Sequence, residues 1–179
     1  MTRILIRGGR LIDPSQGWDK PGDLLLAGGK VAWAGAGLPD GLNSAGLMTL
    51  EAQGMVVCPG FIDLHCHLRE PGFEEKETIA TGTRAAARGG FTTLCCMPNT
   101  RPAIDSAAAV DFVLKRAAAE GCGRVLPIGC ISKGQRGEEL AEMGELAEAG
   151  VVAFSDDGRP VMSSRLMRHA LEYSLAFGR

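Results

Sequence analysis

The sequence predicts an α/β fold in which strand-then-helix units build a parallel sheet, preceded by a small all-β unit. Three observations predict it. From Val56 onward, apolar strand-like runs alternate four times with helical stretches, the pattern of a parallel sheet with crossover helices. A glycine stands just past each of the first three helical stretches, the expected C-terminal punctuation of a helix. Up to about residue 55, by contrast, short apolar runs are separated by glycine turns.

The first part, residues 1–55, reads as strands at Ile4-Leu5-Ile6, Asp23 to Leu26, Val31 to Trp33 and Leu47 to Leu50, with Met55-Val56-Val57 following. Gly28-Gly29 is the tight turn between the second and third of these. In the second part, residues 56–179, a strand from Met55 to His67 leads to a helix near Glu77 to Arg88, closed by Gly89-Gly90. A strand from Phe91 to Met97 leads to a helix near Ser106 to Glu120, closed by Gly121. A third strand, Arg124 to Ser132, leads to a helix near Glu138 to Ala149, closed by Gly150, and a fourth, Val151 to Ser155, to a helix near Ser164 to Phe177. Phe91 to Met97 is apolar nearly throughout, as expected of a strand covered on both faces.

A chain of 179 residues buries one substantial core, or one core plus a small appended domain. The formal net charge of −2 and pI near 5.9 give no electrostatic case for nucleic acid or an anionic membrane as partner. No uncharged run is long enough to cross a bilayer, and Met1 to Gly8 lacks the apolar stretch of a secretory signal. Five of the six cysteines (Cys58, Cys66, Cys95, Cys96 and Cys130) lie in apolar strand-like runs, where a reduced thiol behaves as a small hydrophobe. A cytoplasmic location is the expectation.

In parallel βα folds, ligand-binding residues gather at the carboxyl ends of the strands. The polar residues here do the same: His65, His67 and Arg69 end the first strand, Asn99 the second, Ser132-Lys133 the third and Asp156-Asp157 the fourth. Side chains alternate faces along a strand, so His65 and His67 point the same way. Two imidazoles on one face suit zinc and its neighbours, needing only an oxygen donor from elsewhere. Two of the three histidines in the chain stand in this pair, and the third, His169, reads as a surface residue of the last helix. For single residues other roles stay open: Asn99 and Asp156 as turn or capping residues, Arg69 as partner of a nearby carboxylate.

Taken together, Gly60 to Gly72, Lys76-Glu77-Thr78, Gly89 to Thr93, Met97-Pro98-Asn99-Thr100 and Phe154 to Gly158 resemble dihydroorotases of the bacterial type that uses an aspartate metal ligand, within the amidohydrolase superfamily. The resemblance runs in family order along the whole chain, and Arg69-Glu70-Pro71-Gly72 and Met97 to Thr100 carry its specificity. It implies the first four βα units of a metal-dependent (β/α)₈ TIM-type barrel over residues 56–179, with 1–55 as the N-terminal part of a β-sandwich. The implied reaction is reversible cyclisation of N-carbamoyl-L-aspartate to L-dihydroorotate in pyrimidine biosynthesis. His65, His67 and Asp157 match metal ligands, for one or two Zn²⁺ ions, and His67, Arg69 and Asn99 match groups at the substrate. Relatives that bridge their metals with a carbamylated lysine on the fourth strand have no parallel here, because no lysine follows Lys133. A carboxylate must take that place, and the motif favours Asp157 over Asp156.

A closed barrel of this kind takes about 250 residues. Two further histidine ligands and the aspartate that acts as general base come, in the resembled enzymes, from later strands, and none has a counterpart here. The sequence therefore reads as the front half of such an enzyme, with no catalytic base of its own and with exposed strand edges that favour self-association. Two other functions stay open: an allantoinase- or hydantoinase-like cyclic-amide hydrolase, and a non-catalytic half-barrel that binds aspartate carbamoyltransferase.

Overall fold

The computed structural model describes residues 3–38, 41–42 and 46–179, and the chain separates into two compact units, Met1–Pro59 and Gly60–Arg179. The first unit is one twisted sheet. Strand β1 (Arg3–Asp13) runs antiparallel to β2 (Trp18–Ala27), which pairs antiparallel with β3 (Lys30–Gly35). The β2–β3 hairpin closes at Gly28 and Gly29, with φ of 59° and 75°, as a two-residue turn with both central residues left-handed requires. Strands β4 (Leu47–Glu51) and β5 (Val56–Val57) both lie parallel to β1. Leu5, Leu11 and Leu25 form its buried face. Where the β1–β2 register slips between Ile6 and Gly9, the buried Asp23 carboxylate accepts the Gly8 N–H at 2.6 Å.

The second unit is a three-stranded parallel sheet, β6 (Phe61–Cys66), β7 (Phe91–Cys96) and β8 (Arg124–Pro127), in that order. Helices α1 (Ile79–Arg88) and α2 (Ala107–Glu120) connect the strands, and α3 (Met143–Ala149) and α4 (Ser164–Ser174) follow. Three of the four begin at a capping side chain. Thr78 and Thr81 cap α1 reciprocally, the Thr78 hydroxyl accepting the Thr81 N–H at 3.1 Å. Ser106 and Ser163 cap α2 and α4 in the same manner from one side only. Alternation along β7 divides the packing: Leu94 and Cys96 join Ile79, Val110, Val113 and Leu146 in the main core, whereas Cys95 and Met97 pack with Ile128 in a second cluster. Both faces of this strand are therefore apolar, which is why its sequence does not alternate.

Three expected strands differ, the third of the second unit ending at Pro127 rather than at Ser132. The run from Met55 to His67 is not continuous: Val56–Val57 joins the first sheet and Phe61–Cys66 the second, with Cys58-Pro59-Gly60 between them. Residues Val151 to Ser155 form no regular strand and make a single parallel bridge, Gly129 to Phe154. They still run beside the third strand, since Val152 donates to the Pro127 carbonyl at 3.0 Å, Gly129 to Ala153 at 3.0 Å and Ser155 to Gly129 at 2.9 Å. Pro127 has no N–H to continue the ladder, so the pairing is interrupted there. Helix α3 starts at Met143 rather than near Glu138, because the preceding segment is held back by bonds such as Lys133 N–H to the Glu139 carbonyl at 3.0 Å.

Candidate metal centre

The first strand delivers the imidazoles through an irregularity. Between Asp63 and Cys66, β6 advances three residues while β7 advances two, from Leu94 to Cys96, so β6 carries one extra residue. Such a bulge frees backbone donors and re-aims side chains. The Asp63 carboxylate meets one of those donors, accepting the His65 N–H at 3.0 Å. Just beyond, the His65 and His67 rings sit edge to face, 5.3 Å between centroids.

Asp157 faces both rings. His65 Nε2 is 3.2 Å from Asp157 Oδ1, and His67 Nε2 is 3.6 Å from Asp157 Oδ2. The three residues each offer a ligand atom, all within 4.8 Å of one another. Donors around a tetrahedral zinc, each about 2.0–2.2 Å from the ion, stand about 3.3–3.6 Å apart. The donor set of two imidazoles and one carboxylate and its spacing thus fit a small divalent ion, with positions left for other ligands.

Asn99 stands between two of these side chains. Its Oδ1 lies 3.0 Å from His67 Nδ1, and its Nδ2 donates to Asp157 Oδ2 at 2.9 Å. Arg69, partly buried, takes the left-handed φ of 61°, uncommon for a side-chain-bearing residue, and its carbonyl accepts the Phe73 N–H at 3.1 Å. His169 is exposed on α4, away from this cluster in sequence and outside the ligand group.

The neighbouring aspartate turns elsewhere. Asp156 is buried, and its carboxylate accepts the Ile131 N–H at 2.8 Å, the Ser132 N–H at 3.2 Å and the Ser132 hydroxyl. Glu70, also buried, accepts the Ile79 N–H at 2.9 Å, at the start of α1, and the Arg116 Nε–H at 2.7 Å from α2. Sequence reasoning placed Ser132 among the strand-end polar residues but assigned no supporting role to it, to Glu70 or to Asp63. Their partners lie up to 46 residues away or in a bulge, and no spacing rule signals either. An open cavity of about 420 Å³ adjoins Asp157, lined also by Ile131, Ser155, Gly158, Arg159 and Met167.

Three comparisons bear on this arrangement. Residues 54–177 match the family described as dihydro-orotase-like. The chain is 55% identical over 177 residues to a dihydroorotase of Citrifermentans bemidjiense, covering 98% of this chain and 41% of that protein. It is 54% identical over 175 residues to a dihydroorotase of Geobacter sulfurreducens, covering 98% and 40%. The chain thus spans about 40% of the length of the curated relatives it matches. Among solved structures, the L-hydantoinase of Arthrobacter aurescens superposes with a TM-score of 0.81 at 24% identity, over 99% of this chain and 39% of that one, a likeness of fold.

Proposed function

From the premise that the chain belongs to the dihydro-orotase-like family, we propose that it forms the first part of a dihydroorotase active site. The reaction is the reversible closure of N-carbamoyl-L-aspartate to L-dihydroorotate. The observation that carries the reading is the convergence of His65 Nε2, His67 Nε2 and the Asp157 carboxylate at the carboxyl ends of a parallel sheet. The sheet and its helices are, on this reading, the opening units of a (β/α)₈ barrel, and residues 1–55 part of a β-sandwich.

His65, His67 and Asp157 would hold Zn²⁺, one ion or one of a pair. When bound, the ion supplies an activated water and polarises the amide carbonyl of the ring. Arg69 would present a planar guanidinium fork to a substrate carboxylate, and His67 and Asn99 would also meet the substrate. The bulge at Asp63 and the Asp156 clamp keep the two ligand-bearing segments in place. The 179 residues contain no counterpart of the general base or of the two further histidines that the resemblance calls for.

Among the described residues no helix is long and apolar enough to cross a membrane, and the proposed location is the cytoplasm. Phe61, Ile62 and Leu64 of β6 are 54%, 60% and 72% exposed, which favours self-association along this edge; a monomer at all concentrations by light scattering would remove that idea. Aspartate carbamoyltransferase is the proposed protein partner, tested by a change in its mass on mixing.

The deciding experiment uses a protein of the relatives' full length that carries these residues. Turnover of dihydroorotate well above that of hydantoin and allantoin is the expected result. Preference for either of the latter would instead assign a different cyclic-amide hydrolase on the same scaffold.

A further inference from the structure

We infer that Asn99 is a positioning residue for the metal, acting through two ligands at once; the inference rests on the metal-site reading above. Its amide lies on the segment that follows β7, the middle strand, and reaches to both sides. Oδ1 is 3.0 Å from His67 Nδ1, beyond β6, and Nδ2 is 2.9 Å from Asp157 Oδ2, on the fourth segment. An acceptor at Nδ1 holds the proton on that nitrogen and leaves the Nε2 lone pair facing Asp157, the tautomer in which His67 can ligate. The donated Nδ2–H fixes the rotation of the Asp157 carboxylate, so that Oδ1 stays 3.2 Å from His65 Nε2.

The backbone presenting this amide is itself held. Pro98 is fully buried, and its carbonyl accepts the N–H of both Thr100 at 2.9 Å and Ile104 at 3.1 Å. A planar group on a locked turn orients its neighbours without losing much freedom of its own. Contact with substrate is compatible with this role, because the second Nδ2–H remains; the two roles differ in what happens when no substrate is present.

The test measures Zn²⁺ affinity of the chain, without substrate, by competition with a chromophoric chelator. N99A and the near-isosteric N99L are compared with the native chain, with H67A and with D157A, after far-UV circular dichroism establishes which variants fold. Both Asn99 variants should bind Zn²⁺ about 10–100-fold more weakly, the range seen when a group supporting a metal ligand is removed. In the metal-free protein, ¹⁵N-detected NMR of the His67 ring should show the Nδ1–H tautomer natively and a mixture of tautomers in N99L. The inference is overturned if H67A and D157A lose Zn²⁺ while either folded Asn99 variant stays within about twofold of native. If H67A and D157A also bind as the native chain does, the metal-site reading fails along with it.

Discussion

Asp156 and Ser132 are joined twice: the buried Asp156 carboxylate accepts both the Ser132 hydroxyl and, at 3.2 Å, the Ser132 backbone N–H. The same carboxylate holds the Ile131 N–H at 2.8 Å, so one side chain fastens the fourth segment to the loop after β8. Asp157 is the next residue along. Its position against the imidazoles is therefore set by a neighbour that touches neither of them.

Replacing Asp156 with alanine leaves three donors without their acceptor. A hydrogen bond to a charged group contributes about 1.5–3 kcal/mol, and an orphaned buried donor costs a comparable amount. Urea unfolding of D156A should show a loss of about 1.5–3 kcal/mol, with Zn²⁺ affinity lowered but still measurable. Native stability in D156A would contradict the clamp.

Removing one of the three proposed metal ligands should act in the opposite proportion. H65A, H67A and D157A should each weaken Zn²⁺ binding by more than about 100-fold, beyond what loss of a supporting group produces. Stability should change less than in D156A, since Asp157 and both imidazoles are more open to solvent, His65 with 55% of its side chain exposed. Isothermal titration with Zn²⁺ and urea unfolding of the same samples separate the two effects.

Glu70 and Arg116 should respond unequally. Glu70 is buried, and E70A strips α1 of the acceptor for its first N–H as well as the partner of Arg116, a loss of about 1.5–3 kcal/mol. In R116A the Glu70 carboxylate keeps its bond to the Ile79 N–H, and because Arg116 is 43% exposed water reaches the place it leaves, so the urea midpoint should shift less than in E70A. Equal shifts would mean that the cap on α1 contributes little.

The cysteines should sort by burial. Burial pushes the Cys66 and Cys96 thiols up to about 12, and raises Cys95 and Cys130 as well. A raised thiol stays protonated at pH 8, and the thiolate is the reactive form. Cys58 and Cys122 are exposed, Cys58 lying outside the apolar packing expected of it. Iodoacetamide at pH 8 should add two groups to the native protein and six to the unfolded one, counted by mass spectrometry. Rapid labelling of Cys66 or Cys96 in the native state would show that the second unit opens.

The 179-residue chain should show little or no dihydroorotase turnover, even when loaded with Zn²⁺. General-base assistance alone contributes about 10²–10⁴-fold in rate, and on the proposed reading that base comes from a later strand of the barrel. Substantial turnover by the chain alone would require a base among residues already described.

Much of this architecture was legible because it depends on local chemistry. The Gly28-Gly29 turn needs two left-handed residues, the caps at Thr78, Ser106 and Ser163 sit where the helical pattern begins, and β7 is apolar throughout because both faces are covered. What misled was continuity: an apolar run from Met55 to His67 carries no mark that its two ends pair with different sheets. The irregular fourth segment was equally hidden, since its pairing depends on a proline in a neighbouring strand.

The sequence by itself determined that two imidazoles two residues apart end an apolar run, and that an amide and paired carboxylates end later apolar runs. Only the tertiary structure decided how those groups divide the work. Asp156 and Asp157 are adjacent and chemically identical, and one is buried against Ser132 while the other faces His65 and His67. Asn99 meets two partners 32 and 58 residues away. The direction of a side chain at a strand end follows from packing between segments distant in the chain, and composition and periodicity carry only what is near.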